Sequence, residues 1–380
     1  MDKILVVFPN DPLYKYFNKG EIKKRYWNPC NYFDTIHVIS LSKEDISGDK
    51  VQKFFGNAKV FVHSVGKPKI YNYFFYRKKI IRMLKNINPD IIRAHNPQIH
   101  GYLATYAGKK LSIPVLISLH GNYDKDIREI LLNDKKYVDY IKNKFLEIFA
   151  EKFVLTNASM IICAYEFPIS YATKHGAKDV EVIYNRVYKS DYREKTDYGL
   201  NGPLKILCVG RLIKEKGQER LIKAIKGIDA TLTLIGDGYL FDYLKNLSIE
   251  YGVEKKVNFI RSVPNKDISK YYFDSDVFSI PIEYGGIAIP VIEAIATGLP
   301  IVVPKPKWED SPEIVGDFAL VVENNENDFR EAFSRLIESE ELRKQIGMKG
   351  RERFLEITGE KMEQKEFLIY KKLVERKPND

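Results

Sequence analysis

The chain is poor in cysteine and contains no long apolar run. Its three cysteines, Cys30, Cys163 and Cys208, are scattered and odd in number, which favours a reducing compartment and argues against a zinc site. Apolar runs end within a few residues at a charge or a glycine, so the sequence predicts no transmembrane helix. Residues 1–9 lack the length and flanking charge of a signal peptide and predict a first β-strand. We therefore expect a cytoplasmic protein.

The histidines also lack a metal-binding pattern. No H-E-x-x-H or related spacing occurs among the six of them, so we expect no metal ion and no other cofactor. His95 follows a predicted strand and could face a ligand, although a structural role is commoner for such a residue. The net charge of +10 raises the question of nucleic acid, but the charge is spread over the whole length and no nucleic-acid motif accompanies it. We expect no nucleic-acid partner.

Predicted strands and helices alternate along the chain. A length of 380 residues with 44% hydrophobic content is enough for two domains with real cores. The alternation predicts an α/β protein of two Rossmann-like domains with parallel sheets, at 1–190 and 200–358, joined by a polar linker at about 186–203. A final helix is predicted at 359–380. Strands are predicted at 3–8, 34–40, 59–63, 90–94, 114–119, 159–163, 180–184, 204–209, 230–235, 256–260, 277–280, 300–303 and 318–322, and first-half helices at 71–87, 99–111, 134–156 and 166–175.

The segment 210–217, Gly-Arg-Leu-Ile-Lys-Glu-Lys-Gly, follows a predicted buried strand and leads into a predicted helix. Arg211 and Lys216 therefore lie where open α/β sheets bind ligands. Two cations there suit a diphosphate, because each phosphate oxygen accepts a charge-assisted hydrogen bond. A solvated, charged turn is an equally good interpretation of this segment by itself.

A second segment, 276–303, reads as strand, glycine turn, helix, glycine and strand. Gly285 and Gly286 allow backbone amides to approach a ligand at the start of the helix. Glu293 interrupts the apolar face of that helix, and a buried carboxylate needs a partner such as a pair of sugar hydroxyls. A structural pairing with a lysine or a backbone amide is the alternative.

These two segments resemble the nucleotide-sugar half of the family 4 glycosyltransferases, which have the GT-B fold. The family pattern G-R-L-x-x-x-K-G is present, Gly236-Asp237-Gly238 matches the G-D/E-G that follows it, and residues 281–300 match most of E-G-F-G-x-P-x-x-E-A-x-A-x-G-x-P. In the first half, the strand ending in His120-Gly121 and the segment 182–187 are similar to family motifs. The resemblance implies two Rossmann-like domains whose sheets face each other across a cleft, with the C-terminal helix crossing back to the first domain.

The chain departs from the family pattern at several positions. Gly285 replaces the first glutamate of the family pair, Ile287 and Ala288 replace an aromatic residue and a glycine, Arg186 replaces a glycine before the linker, and Arg261 replaces the glycine after V-x-F-x. The nearest acid to Gly285 is Glu283, which we interpret as structural. These changes affect the predicted contacts with the donor sugar and the base.

The resemblance implies a retaining, metal-independent transferase that uses a nucleotide-diphosphate sugar. Arg211, Lys216 and His120 are the implied catalytic residues. The implied donor-binding residues are Gly20, Arg211, Lys216, Arg261, Val263, Gly285, Gly286, Ile287, Ile289 and Glu293. A GT-B sugar-nucleotide epimerase and a binding protein without transferase activity remain open as alternatives.

The acceptor is expected to be a glycan or a lipid-linked molecule. The densest basic-aromatic cluster, at 71–85, predicts a helix that either lies on an anionic membrane surface or covers the sheet with its apolar stripe and exposes its lysines. A second basic patch lies at 19–25. Peripheral attachment to the inner face of the membrane is therefore an open alternative to a fully cytoplasmic protein.

Overall fold

The computed structural model describes residues 2–20, 22–68, 72–282, 287–307, 313 and 317–375. The chain divides into two compact units. The first unit comprises residues 1–184 together with 362–380, and the second comprises 185–361. The segment that the sequence assigns to a linker thus groups with the second unit, and the end of the chain groups with the first.

The first unit is built on a sheet of seven parallel strands in the order β3-β2-β1-β4-β5-β6-β7. The central strands are buried along most of their length because helices cover both faces, as parallel sheets require. The strands are β1 Ile4–Phe8, β2 Thr35–Ser40, β3 Lys59–Ser64, β4 Ile91–Ala94, β5 Val115–Leu119, β6 Met160–Cys163 and β7 Val180–Val182.

The second unit contains a sheet of six parallel strands in the order β10-β9-β8-β11-β12-β13. The strands are β8 Leu204–Val209, β9 Ala230–Ile235, β10 Val257–Ile260, β11 Val277–Ser279, β12 Ile301–Pro304 and β13 Leu320–Val322. In both sheets the chain starts at a central strand, adds the strands on one side of it, and then crosses over to add the strands on the other side. This produces a switch point between β1 and β4 and another between β8 and β11, which is where such sheets bind ligands.

Helices connect the strands in both units. They are α1 Leu13–Lys19, α2 Tyr73–Ile87, α3 Ile99–Leu111, α4 Ile130–Asn133, α5 Tyr137–Leu146, α6 Lys152–Asn157, α7 Pro168–Lys174, α8 Gln218–Ala224, α9 Phe241–Glu250, α10 Ile268–Phe273, α11 Ile289–Thr297, α12 Glu326–Glu338, α13 Glu340–Glu356 and α14 Gly359–Glu375. π-helical segments lie at Asp124–Glu129 and Glu147–Glu151. Short 3₁₀ helices lie at Pro29–Asn31, Gly48–Phe54, Lys189–Asp191, Lys214–Lys216 and Glu254–Lys256. Within the described residues no helix is both long and apolar enough to cross a bilayer.

The helix predicted over 134–156 is present as a continuous helical stretch from Tyr137 to Asn157, made of α5, the π-helical segment Glu147–Glu151 and α6. A separate helical segment over 124–133 precedes it and was not predicted. Lys135 lies between the two with a φ of 57°, and a left-handed residue other than glycine is costly in a helix, so the chain breaks there.

The predicted basic-aromatic helix forms as α2. Tyr76, Ile80 and Leu84 are buried in the core of the first unit, which accounts for its apolar stripe. Phe74 and Phe75 at its start are exposed. The core-covering interpretation is therefore correct for one face of α2, whereas the other face presents aromatic rings and cations.

Helix α14 packs against the first unit through buried polar side chains. Glu366 forms an ion pair with Arg93 on β4, and the Tyr370 hydroxyl accepts a hydrogen bond from Arg93 Nη1 at 3.0 Å. Glu363 pairs with Arg25 at 2.7 Å and accepts from the backbone N–H of Cys30 at 2.9 Å. Burial by itself would lower the pKa of Arg93, but Glu366, Tyr370 and Tyr26 together outweigh that effect and raise the pKa above its ordinary value.

Candidate functional site

The loop after β8 lies at the switch point of the second sheet. It carries Arg211, whose side chain is exposed and whose carbonyl accepts a hydrogen bond from Gln218 Nε2 at 2.9 Å. Gly217 begins α8 with a φ of 63°, and a Cβ there would lie 2.7 Å from the Pro281 carbonyl oxygen. Only glycine fits this position, so the loop after β8 is packed against the loop after β11.

The loop after β9 also packs against the loop after β8. Gly236 has a φ of 150°, and a Cβ there would collide with the carbonyl oxygen of Gly210. The backbone N–H of Leu212 donates to the Asp237 carbonyl at 2.9 Å. Gly217 and Gly236 thus allow the loops after β8, β9 and β11 to approach one another backbone to backbone. This close packing fixes the backbone position of Arg211.

Lys216 lies close to the buried end of β8. Burial raises the pKa of the Cys208 thiol to about 12, and the Lys216 ammonium opposes that shift. The Cys208 thiol also contributes to the raised pKa of the Tyr272 hydroxyl, after burial and Glu293. Lys216, Cys208, Tyr272 and Glu293 are therefore neighbours at the carboxyl edge of the sheet.

Glu293 lies on α11, partly buried, and accepts hydrogen bonds from two tyrosines. Tyr192 donates its hydroxyl to Oε1 and Tyr272 donates to Oε2, each at 2.8 Å. Burial and the carboxylate together raise the pKa values of both phenols. The sequence suggests a sugar diol, a lysine or a backbone amide as the partner of Glu293, and neither tyrosine was predicted. Tyr192 is 101 residues away in the chain, so no local spacing could have revealed it.

Arg261, at the end of β10, is occupied by two local contacts. Its Nη1 lies 2.6 Å from Asp237 Oδ1, and its guanidinium lies 3.6 Å from the centre of the Phe241 ring. Arg261 therefore covers the surface next to the loop after β9, where the family pattern has a glycine. Val263, two residues further, is partly buried.

The start of α11 is held by a residue that the sequence analysis did not select. Glu313 is buried, and its Oε2 accepts the backbone N–H of Ile287 at 2.9 Å. Ile287 was predicted to bind the donor, and in the structure its backbone N–H already has a carboxylate partner. Ile289 is the first residue of α11 and is partly buried. Glu283, Gly285 and Gly286 lie outside the described residues.

His120 follows β5 in the first unit and is an exposed residue. Desolvation by the surrounding protein, followed by the charges of Arg93 and Lys23, lowers the pKa of His120 to about 4. The ring is therefore neutral at pH 7 and can donate one hydrogen bond and accept another, but it carries no positive charge. Its carbonyl accepts from the Tyr165 hydroxyl at 2.7 Å.

A buried aromatic cluster supports His120. The ring of His95, at the end of β4, stacks on that of His120 with centroids 6.0 Å apart and planes 16° apart. Trp27 Nε1 donates to His95 Nε2 at 2.6 Å, and the Tyr26 ring also stacks on His95, with the ring centroids 5.6 Å apart. Burial, followed by the charge of Arg93, lowers the pKa of His95 well below its ordinary value. His95 is thus a neutral, fully packed residue behind His120.

Gly20 ends α1 with a φ of 66°, and a Cβ there would meet no atom within 4 Å. It lies in the first unit, three residues before Lys23. The predicted site residues thus divide between the units, with Gly20 and His120 in the first and all others in the second.

One cluster has the ligand types of a metal site. The ligand atoms of Asp124, Glu147 and His175 lie within 4.8 Å of one another. Each carboxylate already has cationic partners, since Asp124 pairs with Lys174 at 2.7 Å and Glu147 pairs with Lys144 at 2.6 Å, and Arg128 reaches both of them. The cluster is an ion-pair network that holds α5 and α7 together.

Each unit thus contains a parallel sheet with a switch point, and the elements at the switch point of the second sheet carry Arg211, Lys216 and Glu293. Residues 192–353 match the family described as Glycosyl transferases group 1, and residues 34–188 match Glycosyltransferase Family 4. The chain belongs to the family 4 glycosyltransferases and is an enzyme of that class.

Proteins with similar sequences are also named as glycosyltransferases. An uncharacterized glycosyltransferase of Methanocaldococcus jannaschii is 28% identical over 301 residues, which are 77% of this chain and 79% of that protein. The UDP-Gal:alpha-D-GlcNAc-diphosphoundecaprenol alpha-1,3-galactosyltransferase of Escherichia coli is 27% identical over 241 residues, 59% of this chain and 60% of that protein.

Solved structures confirm the fold. Anabaena HepE in complex with UDP superposes with a TM-score of 0.75 at 16% identity, covering 97% of this chain and all of that one. A putative UDP-N-acetylglucosamine 2-epimerase from Listeria monocytogenes has a TM-score of 0.64 at 12% identity, covering 100% and 99%. The fold is therefore shared with an epimerase and does not by itself decide the reaction.

Proposed function

We propose that the protein transfers a sugar from a nucleotide-diphosphate donor to an acceptor with retention and without a metal ion. The observation that carries this proposal is the cluster at the switch point of the second sheet. There Arg211 and Lys216 follow β8, and the carboxylate of Glu293 on α11 accepts a hydrogen bond from Tyr272. Cations at a strand mouth stabilise the charge that develops on a departing diphosphate, which is work that a metal ion does in other transferases.

Glu293 is the proposed ribose partner. Both of its oxygens accept a phenol hydrogen bond, and each carboxylate oxygen has a second lone pair. A ribose diol would then share the carboxylate with the tyrosines or displace Tyr192, the less buried of the two. The tyrosines hold the carboxylate in place before the donor binds.

His120 is proposed to act from the first unit as a neutral hydrogen-bonding group. Its pKa of about 4 keeps it uncharged under physiological conditions, so it can contact a sugar hydroxyl without adding charge. We assign the acceptor to the same unit. Exclusion of water would favour transfer over hydrolysis of the donor.

We propose a lipid-linked acceptor, with a free glycan as the alternative. One relative is named for a diphosphoundecaprenol acceptor, and α2 presents basic and aromatic residues. Helix α2 would bring the first unit to an anionic membrane surface. Neutralising Arg77, Lys78 and Lys79 should then weaken binding to anionic vesicles by about 1 kcal/mol per charge.

A panel of nucleotide diphosphates in a thermal-shift assay tests the donor. A bound nucleotide stabilises the folded protein by mass action, so one base should give a clear rise in Tm. The 2′-deoxy form of the same nucleotide should give a smaller rise if Glu293 binds the ribose. No rise with any nucleoside diphosphate would reject the proposal.

Donor turnover separates the alternatives. The nucleotide sugar is incubated with the protein in the absence of acceptor, and both the sugar and the nucleotide are followed. A transferase leaves most of the donor intact until an acceptor is added. Conversion of the sugar to its epimer would identify an epimerase, and binding without turnover under either condition would identify a binding protein.

A further inference from the structure

Helix α5 in the first unit has no buried residue. Its apolar side chains nevertheless form a row, in which Val138, Ile141 and Phe145 are 67%, 65% and 51% exposed and Ile148 in the following π-segment is 74% exposed. The spacing of three, four and three residues places these four side chains, the α5 stripe, on one helix face. Single exposed apolar residues are ordinary, but a continuous row marks an interaction surface.

The α5 stripe is joined to the start of α2 by a ladder of parallel rings. Phe145 stacks on Phe149 at 5.8 Å with planes 8° apart, and Phe149 stacks on Tyr73 at 6.3 Å with planes 7° apart. Tyr73 is followed directly by Phe74 and Phe75, which are 64% and 63% exposed. The exposed rings of α2 and the α5 stripe therefore belong to one surface.

This surface carries positive charge that the described residues do not neutralise. Residues 73–87 contain two arginines and three lysines and no acid. Arg77 lies over the rings of Tyr106 at 4.6 Å and Tyr102 at 5.0 Å. Within the described part of the chain no carboxylate pairs with Arg77, and its Nε is buried without a hydrogen-bond partner.

The charges of α5 itself are largely balanced. Lys142 pairs with Asp139 at 3.2 Å and Lys144 with Glu147 at 2.6 Å. Helix α5 thus contributes mainly exposed apolar side chains to this surface, and α2 contributes the cations. That combination matches the boundary between headgroups and acyl chains in an anionic bilayer.

We propose that the α5 stripe, with Phe74 and Phe75, inserts into the interfacial region of an anionic phospholipid bilayer while Arg77 and its neighbours bind lipid phosphates. A second copy of the chain fits less well, because a two-fold interface would place the same uncompensated cations of α2 against each other. The proposal deepens the proposed function, since it attaches the first unit where a lipid-linked acceptor is located.

Vesicle flotation tests the proposal with three variants of the full chain. The first, V138S/I141S/I148S, removes apolar surface and leaves Phe145 on Phe149. The second, R77Q/K78Q/K79Q, removes charge. The control, Y243S/I249S/M348S, removes three exposed apolar side chains from the second unit. The vesicles contain phosphatidylglycerol with phosphatidylcholine, or phosphatidylcholine alone.

The apolar variant should bind mixed vesicles at least about tenfold more weakly than the wild type, with its remaining binding abolished by salt. The charge variant should lose the preference for phosphatidylglycerol, and the control should bind like the wild type. A tryptophan at position 141, introduced as Ile141→Trp, should be quenched by brominated acyl chains. Circular dichroism confirms that each variant is folded.

Equal binding of the apolar variant and the wild type would overturn the proposal, as would no binding of the wild type at low salt. A dimer in solution that the apolar variant converts to monomer, without any vesicle binding, would assign the surface to a second copy. The rise in Tm on adding a nucleoside diphosphate is also measured on the wild type and on every variant. Absence of this rise in the wild type would reject the donor assignment alone. A normal rise in the apolar variant would show that membrane docking and donor binding are separate.

Discussion

The two units hold their candidate site residues by different means. In the second unit the loops after β8, β9 and β11 touch backbone to backbone, and glycines such as Gly217 and Gly236 make that approach possible. In the first unit His120 lies on a stack of aromatic side chains, behind which Arg93 and Glu366 form a buried ion pair. A site built on backbone tolerates changes around it, whereas a site built on buried side chains depends on each of them.

Titration of the first unit should produce the largest effect. All six histidines lie in residues 1–184, and the second unit has none. Burial lowers the pKa of His37 and His100 from an ordinary value of 6.5 to about 4, and it lowers that of His95 well below its ordinary value. As the pH falls, the histidines of the unfolded chain bind protons at a higher pH than those of the folded unit. The free energy of unfolding of the first unit is therefore fully present above pH 6.5 and decreases as the pH falls towards 4.

We expect the midpoint of thermal unfolding of the first unit to fall by on the order of 10 °C between pH 7 and pH 5. Hydrogen exchange measured on peptides of each unit, corrected for the intrinsic pH dependence, should show this loss in residues 1–184 and little change in 185–361. Equal loss in both units would contradict the comparison.

The ion pair of α14 should give the next largest effect. Glu366→Ala leaves the buried Arg93 guanidinium without its carboxylate, and breaking such a pair costs about 3–5 kcal/mol. Trp27 fluorescence during urea unfolding, in a Trp308→Phe background, should show a lower midpoint. Glu360→Ala, an exposed position on the same helix, is the control and should unfold like the parent.

The cations of the second unit should affect catalysis rather than folding. Arg211→Ala or Lys216→Ala is expected to lower kcat by about two to three orders of magnitude, the usual loss for one donor to a developing charge. The Tm should change little because these side chains lie at a strand mouth. Lys214→Ala, exposed in the same loop, should retain turnover, and wild-type activity in the Arg211 variant would reject its assignment.

Glu293→Gln should give the smallest effect. Replacing a charged acceptor is expected to weaken nucleotide-diphosphate binding by about 1–3 kcal/mol, measured by calorimetry. Glu250→Gln, exposed on α9, should bind normally. Equal affinity of the wild type for ribose and deoxyribose nucleotides would show that Glu293 has only the structural role that Tyr192 and Tyr272 give it.

The difference between sites formed by local backbone motifs and sites formed by packed side chains also explains what the sequence could predict. Strand positions followed from buried runs bounded by glycine, and the predicted strands coincide with the observed ones to within a few residues. The loop after β8 was identified because glycine and charge stand together over eight residues. Partners such as Tyr192 for Glu293, Glu313 for Ile287 and Glu366 for Arg93 are set by tertiary packing, so no local pattern indicates them.

The placement of α14 also affects the order in which the protein is made. The second unit is one continuous stretch, whereas the first is assembled from residues 1–184 and 362–380. The ribosome therefore adds every residue of the second unit before it adds Glu363 and Glu366, the partners of Arg25 and Arg93. The unit that is synthesised first is completed last, and until then the nascent chain lacks the two carboxylates that pair with these arginines.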